Sequence, residues 1–224
     1  EDGKVDYTAG ETFRMPSETV DLYAVWEEAD FMTHSSYING YPDNTIGHNK
    51  TITRAETAQI FYNLISDKDV HVTKTFKDVP YDAWYAKAVN TLASMGVIEG
   101  VGNGMFEPER SVTRAEFTAI AIRFADKETE GENIFRDIYG GEWFYDSVVS
   151  ATDYEWIKGY PDGTFRPYNS ITRTEAVTIV NNMLERAADK EYIDSHIDEL
   201  KQFNDISSDF WGYYQIMEAA NSHS

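Results

Sequence analysis

The sequence predicts a mainly α protein, a pseudo-threefold helical bundle of three repeats preceded by a short β-strand remnant. Two observations carry this: a block that recurs near every sixty residues, and apolar stripes at helical spacing within each block. The strings ITRAE at 52–56, VTRAE at 112–116 and ITRTE at 171–175 put Arg54, Arg114 and Arg173 60 and 59 positions apart. A turn-rich segment precedes each: INGYPDNTI from Ile38, IEGVGNGMF from Ile98 and IKGYPDGTF from Ile157.

Taken in chain order, residues 1–28 end in an alternating run. Val20, Leu22, Ala24 and Trp26 interleave with Asp21, Tyr23, Val25 and Glu27, as in a β-strand. Such a run is too short to form a sheet core alone. Its LYAVW ending resembles the last strand of Listeria–Bacteroides type surface repeats, and the resemblance implies that residues 1–28 are the remnant of a preceding β-rich surface repeat.

Residues 29–224 are assigned to the bundle. Repeat 2 (76–125) and repeat 3 (135–186) each open with a Phe-x-Asp…Trp block, FKDVPYDAW at 76–84 and FRDIYGGEW at 135–143. Repeat 1 lacks that opening before its turn. The missing block stands at the other end of the chain, as FNDISSDFW at 203–211. Repeat 1 is therefore read as circularly split, 31–66 plus 203–224, with 187–202 as a connecting helix. After each opening block one short helix is expected, with Ala88, Leu92 and Met95 on its inner face in repeat 2 and Ile216, Ala219 and Ala220 in the split repeat. The second helices present Ile60, Phe61 and Leu64; Ile120, Ala121 and Phe124; Ile179, Val180 and Met183. Six one-sided helices bury their stripes only against one another, which predicts the ring-like bundle.

Composition narrows the function classes. Thirty-nine acidic against 19 basic side chains, a formal charge of −20, oppose contact with nucleic acid phosphates or anionic lipid. No apolar run is long enough to span a membrane, so no membrane insertion is expected, and a cleaved export signal would lie upstream. The absence of Cys excludes disulfides and thiolate sites. The five His (34, 48, 71, 196, 223) show no paired metal-ligand spacing, and there is no HExxH, GxSxG or EF-hand order. The expectation is no enzyme, no cofactor and no metal.

The Phe-x-Asp…Trp opening, the glycine turn and the Thr-Arg-Ala-Glu helix start together resemble the S-layer homology (SLH) domain family, over three matched units. The resemblance implies a three-pronged bundle on a Gram-positive cell wall. Such a domain is extracellular and anchors its protein non-covalently through secondary cell wall polysaccharide, held between prongs at pyruvylated N-acetylmannosamine. It also implies that the motif arginines Arg54, Arg114 and Arg173 contact the sugar, with residues of the neighbouring helix and turn. The alternative function is a protein–protein or surface-layer self-assembly module.

The candidate ligand-binding set comprises those arginines, Trp84, Trp143 and Trp211, Asp78, Asp137 and Asp205, Gly40, Gly100 and Gly159, and Tyr41 and Tyr160. Thr53, Thr113 and Thr172 with Glu56, Glu116 and Glu175 read as capping boxes. A cation in a helix's first turn faces the positive end of the dipole, a mild local misfit by about 0.3–1 kcal/mol. Repeated three times, it points to an anion bound by guanidinium and free helix amides, such as the carboxylate of a pyruvyl ketal. The competing reading pairs the arginines with Asp78, Asp137 or Asp205. The tryptophans are either core seals or sugar platforms, the tyrosines either stacking surfaces or turn supports. The glycines permit positive φ or close approach. Val101 and Met105 replace the Tyr and Thr of the other turns, and Gly47-His48 stands where repeat 3 has Arg166-Pro167. The three grooves are expected to differ, with one or two binding.

Overall fold

The computed structural model describes residues 34–223. The strand expected near 19–27, with the rest of 1–33, lies outside the described residues. The described residues form seven helices in order: α1 Arg54–Leu64, α2 Ala86–Ser94, α3 Arg114–Ala125, α4 Tyr145–Asp153, α5 Arg173–Met183, α6 Lys190–Ser195 and α7 Tyr213–Ala220. Among the described residues only isolated β-bridges accompany them.

The longer helices α1, α3 and α5 start where the motif dictates. Thr53, Thr113 and Thr172 each accept the amide of the third helical residue, whose Glu side chain returns to the cap amide. Each cap contributes roughly 1 kcal/mol. The first two amides of each helix are also occupied: Arg54 N and Ala55 N donate to the carbonyls of Arg110 and Pro108, Arg114 N and Ala115 N to Asn169 and Pro167, Arg173 N and Thr174 N to Lys50 and His48. Each of these three helix starts is thus sealed by the loop of the next repeat. The expected free helix amides are not there, because ring closure uses them.

At the axis, Ile52 N donates to Ile171 O, Ile171 N to Val112 O and Val112 N to Ile52 O, at 3.1, 3.0 and 3.0 Å. All three side chains are fully buried. This closed triangle fixes the pseudo-threefold axis. Around it each long helix packs on the short helix of the following unit: α1 on α2, α3 on α4, α5 on α7.

The short helix of repeat 1 comes from the C-terminal end. Ala219 O accepts from Tyr37 N and Ile38 N as Leu92 O accepts from Val97 N and Ile98 N, and Ala151 O from Trp156 N and Ile157 N. One chain break is bridged by the same hydrogen bonds that continuous chain makes elsewhere. Met95, expected on the inner face, is instead exposed past the end of α2. The connecting helix is only α6; Ile197 and Leu200 lie beyond it and pack around Ile193, Tyr213 and Met217.

The Phe-x-Asp residues organise the turns. Asp78 accepts the amides of Phe106 and Glu107 at 2.8 and 2.7 Å, Asp137 those of Phe165 and Arg166 at 2.7 and 2.8 Å, and Asp205 those of Ile46 and Gly47 at 2.8 Å each. The motif phenylalanine lies against the turn glycine. A Cβ on Gly40 would meet Phe203 at 2.5 Å, and one on Gly100 would meet Phe76 at 2.6 Å. Close approach is the shared requirement; of these three, only Gly159 has positive φ.

Candidate functional site

Among the described residues three equivalent clefts lie between units, each built in rotation from parts of all three. In the first, Arg54 of repeat 1 reaches the turn of repeat 2, beside Glu116, Ile120 and Arg123 on α3, with Trp143 of repeat 3 at the rim; its volume is about 270 Å³. The second joins Arg114, Tyr160 and Glu175 with Trp211, about 460 Å³. The third joins Arg173, Tyr41 and Glu56 with Trp84, about 590 Å³. The glycines Gly100, Gly159 and Gly40 line the respective walls.

The arginines are buried to 8, 6 and 5% exposure, and what they touch differs. Arg114 Nη1 meets Glu175 Oε1 at 2.8 Å while its Nε donates to Phe165 O. Arg173 Nη1 meets Glu56 Oε1 at 3.4 Å and its Nη2 donates to Asn39 O. In both clefts a tyrosine hydroxyl locks the same carboxylate: Tyr160 donates to Glu175 at 2.8 Å and Tyr41 to Glu56 at 2.7 Å. Burial and then the Glu56 bond push the Tyr41 hydroxyl up to about 12.

Arg54 has no such partner. Its Nε donates to Phe106 O at 2.7 Å and its Nη2 to Glu99 O at 2.5 Å. Among the described residues no carboxylate lies within ion-pair distance of it, and Nη1 meets no acceptor. Val101 fills the tyrosine position, and Glu116 is taken by Arg110 at 2.6 Å. Burial and the neighbouring Arg110 push the Arg54 guanidinium below its ordinary value. The carboxylates of Glu116, Glu107 and Asp78 oppose that shift from beyond ion-pair distance, so Arg54 is a buried cation without a direct carboxylate partner among the described residues.

Each predicted residue now has a place. The aspartates accept turn amides and line none of the three clefts, and among the described residues none pairs with a motif arginine, so the competing reading of Arg–Asp bridges is not met and Arg–Glu pairs stand in two clefts instead. The tryptophans are not core seals: Trp84, Trp143 and Trp211 are 61, 61 and 64% exposed. Large exposed aromatics at three equivalent rims form a pattern that scattered surface residues do not. Tyr41 and Tyr160 stand in cleft walls, with Lys50 over the Tyr41 ring at 4.4 Å and Arg166 over Tyr160 at 3.9 Å.

Sequence reasoning treated the capping-box glutamates as helix starters alone and missed them as cleft residues. Glu116, Ile120 and Arg123 lie on one helix face at i, i+4 and i+7, as do Glu56, Ile60 and Asn63, and Glu175, Ile179 and Asn182. That spacing was the available signal.

The described residues thus form a repeat-built ring with three equivalent clefts, each lined by a motif arginine and rimmed by an exposed tryptophan. The chain belongs to the family described as the S-layer homology domain, whose profile matches residues 20–58, 75–118 and 134–177, more than half of the chain. It is 32% identical over 206 residues to Cell surface glycoprotein 1 of Acetivibrio thermocellus, covering 85% of this chain and 9% of that protein. It is also 32% identical over 201 residues to the Cellulosome-anchoring protein of the same organism, with 85% of this chain and 43% of the relative covered. A Surface layer protein of Brevibacillus choshinensis is 35% identical over 104 residues, 44% of this chain and 9% of that protein. The chain thus spans less than half the length of these relatives. The family and its members place the domain outside the cell, at the cell wall or surface layer, as a cell-surface anchoring domain. No helix among the described residues is long and apolar enough to cross a membrane.

Proposed function

We propose that the domain anchors its protein non-covalently by binding secondary cell wall polysaccharide in the cleft of Arg54, with a pyruvylated N-acetylmannosamine as the recognised sugar. One observation supports this above the rest: the Arg54 guanidinium is buried, has no carboxylate partner among the described residues, and lines a hollow with Arg110 and Arg123. A ketal carboxylate supplies the missing anion, and a charge-assisted hydrogen bond of this kind contributes about 1.5–3 kcal/mol. Trp143 offers the sugar ring an apolar face at the rim.

The clefts of Arg114 and Arg173 present the same aromatic rims through Trp211 and Trp84. Their cations are already paired, so in this reading they add avidity along a polymer rather than primary affinity. Asp78, Asp137 and Asp205 hold the turns, and Gly40, Gly100 and Gly159 let the turns approach the phenylalanines behind each wall.

The test is co-sedimentation with protein-free wall sacculi before and after mild acid removal of pyruvate. Pelleting that disappears with the pyruvate is expected. Unchanged pelleting after depyruvylation contradicts the carboxylate mechanism, and no pelleting at all favours the alternative of protein partners in a surface lattice.

A further inference from the structure

The seam of the split repeat carries a cluster that the clefts do not use. His34 and His223 pair as an antiparallel bridge, His34 N donating to His223 O at 2.7 Å and His223 N to His34 O at 3.1 Å. Their rings converge on Glu218, near the end of α7: His34 Nδ1 lies 2.6 Å from Oε1 and His223 Nε2 2.8 Å from Oε2. Glu218 is fully buried.

A carboxyl removed from water needs charge compensation as well as hydrogen bonds. Among the described residues no Lys or Arg pairs with Glu218. Arg186, which runs toward the same seam, instead donates to Ser35 O at 2.9 Å. Repeats 2 and 3 show what this position otherwise requires. Counting from the motif tryptophans, Glu218 corresponds to Thr91 and Ser150, both buried hydroxyl residues. Packing alone is met by a small polar side chain, so a carboxyl with two imidazoles at the one discontinuous unit calls for its own cause.

We propose that His34, Glu218 and His223 bind a divalent transition-metal ion of the zinc class, which clasps the two ends of the split repeat. One ligand atom from each lies within 4.8 Å of the others, a spread that a central ion with bonds of about 2.0–2.2 Å can close by small side-chain shifts. Two imidazole nitrogens and one carboxylate oxygen form a three-ligand set suited to zinc, with a fourth position for water. His34 ligates through Nδ1 and His223 through Nε2, each as the neutral ring. Both rings keep some exposure, 21 and 10% of their side chains, which gives the ion a path in. The ligands come from positions 34 and 218–223, so the bound ion closes a loop of nearly the whole domain, where a crosslink constrains the unfolded chain most.

The experiment titrates Zn²⁺ into chelator-treated full chain, read by calorimetry and by thermal unfolding. One zinc per chain and a zinc-dependent rise in Tm are expected. His223→Gln and Glu218→Gln, which keep volume and polarity, should abolish the rise. Their affinity should fall by more than the roughly 10–100-fold that an outer-shell partner is worth. His71→Gln, on an exposed residue outside the cluster, should leave both readouts unchanged. Absence of zinc binding by the wild-type chain overturns the proposal, as does a zinc response that survives in both seam variants.

Discussion

Arg110 closes on Glu116 at 2.6 Å and thereby withholds from Arg54 the carboxylate that Arg114 and Arg173 receive from Glu175 and Glu56. Two positions differ at this cleft: Val101 stands where the other units have Tyr41 and Tyr160, and Arg110 where they have Lys50 and Asn169. Tyr41 and Tyr160 place a ring and a hydroxyl against the capping-box glutamate, whereas Val101 has neither, and Arg110 occupies the vacancy. Broken symmetry is therefore the most informative feature of the ring.

Val101→Tyr should restore the rule. Its hydroxyl would take Glu116, displace Arg110 and let the carboxylate meet Arg54, lowering affinity for wall polysaccharide by roughly tenfold, the lower end for one charge-assisted bond. Arg110→Asn, the residue at the matching position 169, should act in the same direction. Equilibrium binding of both variants to purified wall glycan checks this; unchanged affinity in both speaks against it.

Asp78→Ala should lower stability by about 1–3 kcal/mol, because the amides of Phe106 and Glu107 lose their acceptor. Denaturant unfolding measures the loss. Binding per folded molecule should hold, since Asp78 lines no cleft.

Gly212 stands where the other units have Tyr85 and Phe144, and a Cβ there would collide with Thr174 and meet Phe210 at 3.0 Å. Gly212→Ala should therefore cost about 1–3 kcal/mol through overpacking. Adding Thr174→Ala, which restores the residue found at 55 and 115, should recover most of it. A double-mutant cycle by thermal unfolding tests the coupling.

Acid should destabilise the ring in a defined direction. Burial alone would raise the carboxyls of Asp78, Asp205, Glu116 and Glu175. The amides on both aspartates, and the cations and cap groups on both glutamates, more than reverse it and hold all four below their ordinary values. Groups depressed in the folded state contribute stability that is complete above their unfolded pKa of about 4, and lost as pH falls through the folded values. Tm should be level near neutrality and drop below about pH 4–5, with a shallower drop in Asp78→Asn/Asp205→Asn.

Much of this was legible from periodicity. The three TRAE strings mark α1, α3 and α5 because capping is local, and the displaced Phe-x-Asp…Trp block precedes α7, which packs on α5 as α2 packs on α1 and α4 on α3. Tertiary neighbours hid the rest. Helix amides that look free in one repeat are taken by loops of the next, and a glutamate that reads as a cap also floors a cleft. The tryptophans resemble core residues, yet in repeats 2 and 3 the next residue, Tyr85 or Phe144, turns inward and leaves Trp84 or Trp143 at the rim. His34 and His223 showed no metal spacing because the fold, not the chain, brings them together.

The central claim is that Arg54 is the cation reserved for the wall glycan. Calorimetric binding of purified pyruvylated wall polysaccharide to the wild type, Arg54→Gln and Arg173→Gln tests it most directly. The account predicts a loss of roughly 10- to 150-fold for Arg54→Gln, equivalent to about 1.5–3 kcal/mol, and a clearly smaller one for Arg173→Gln. An Arg54→Gln protein that stays folded and binds like the wild type would contradict it.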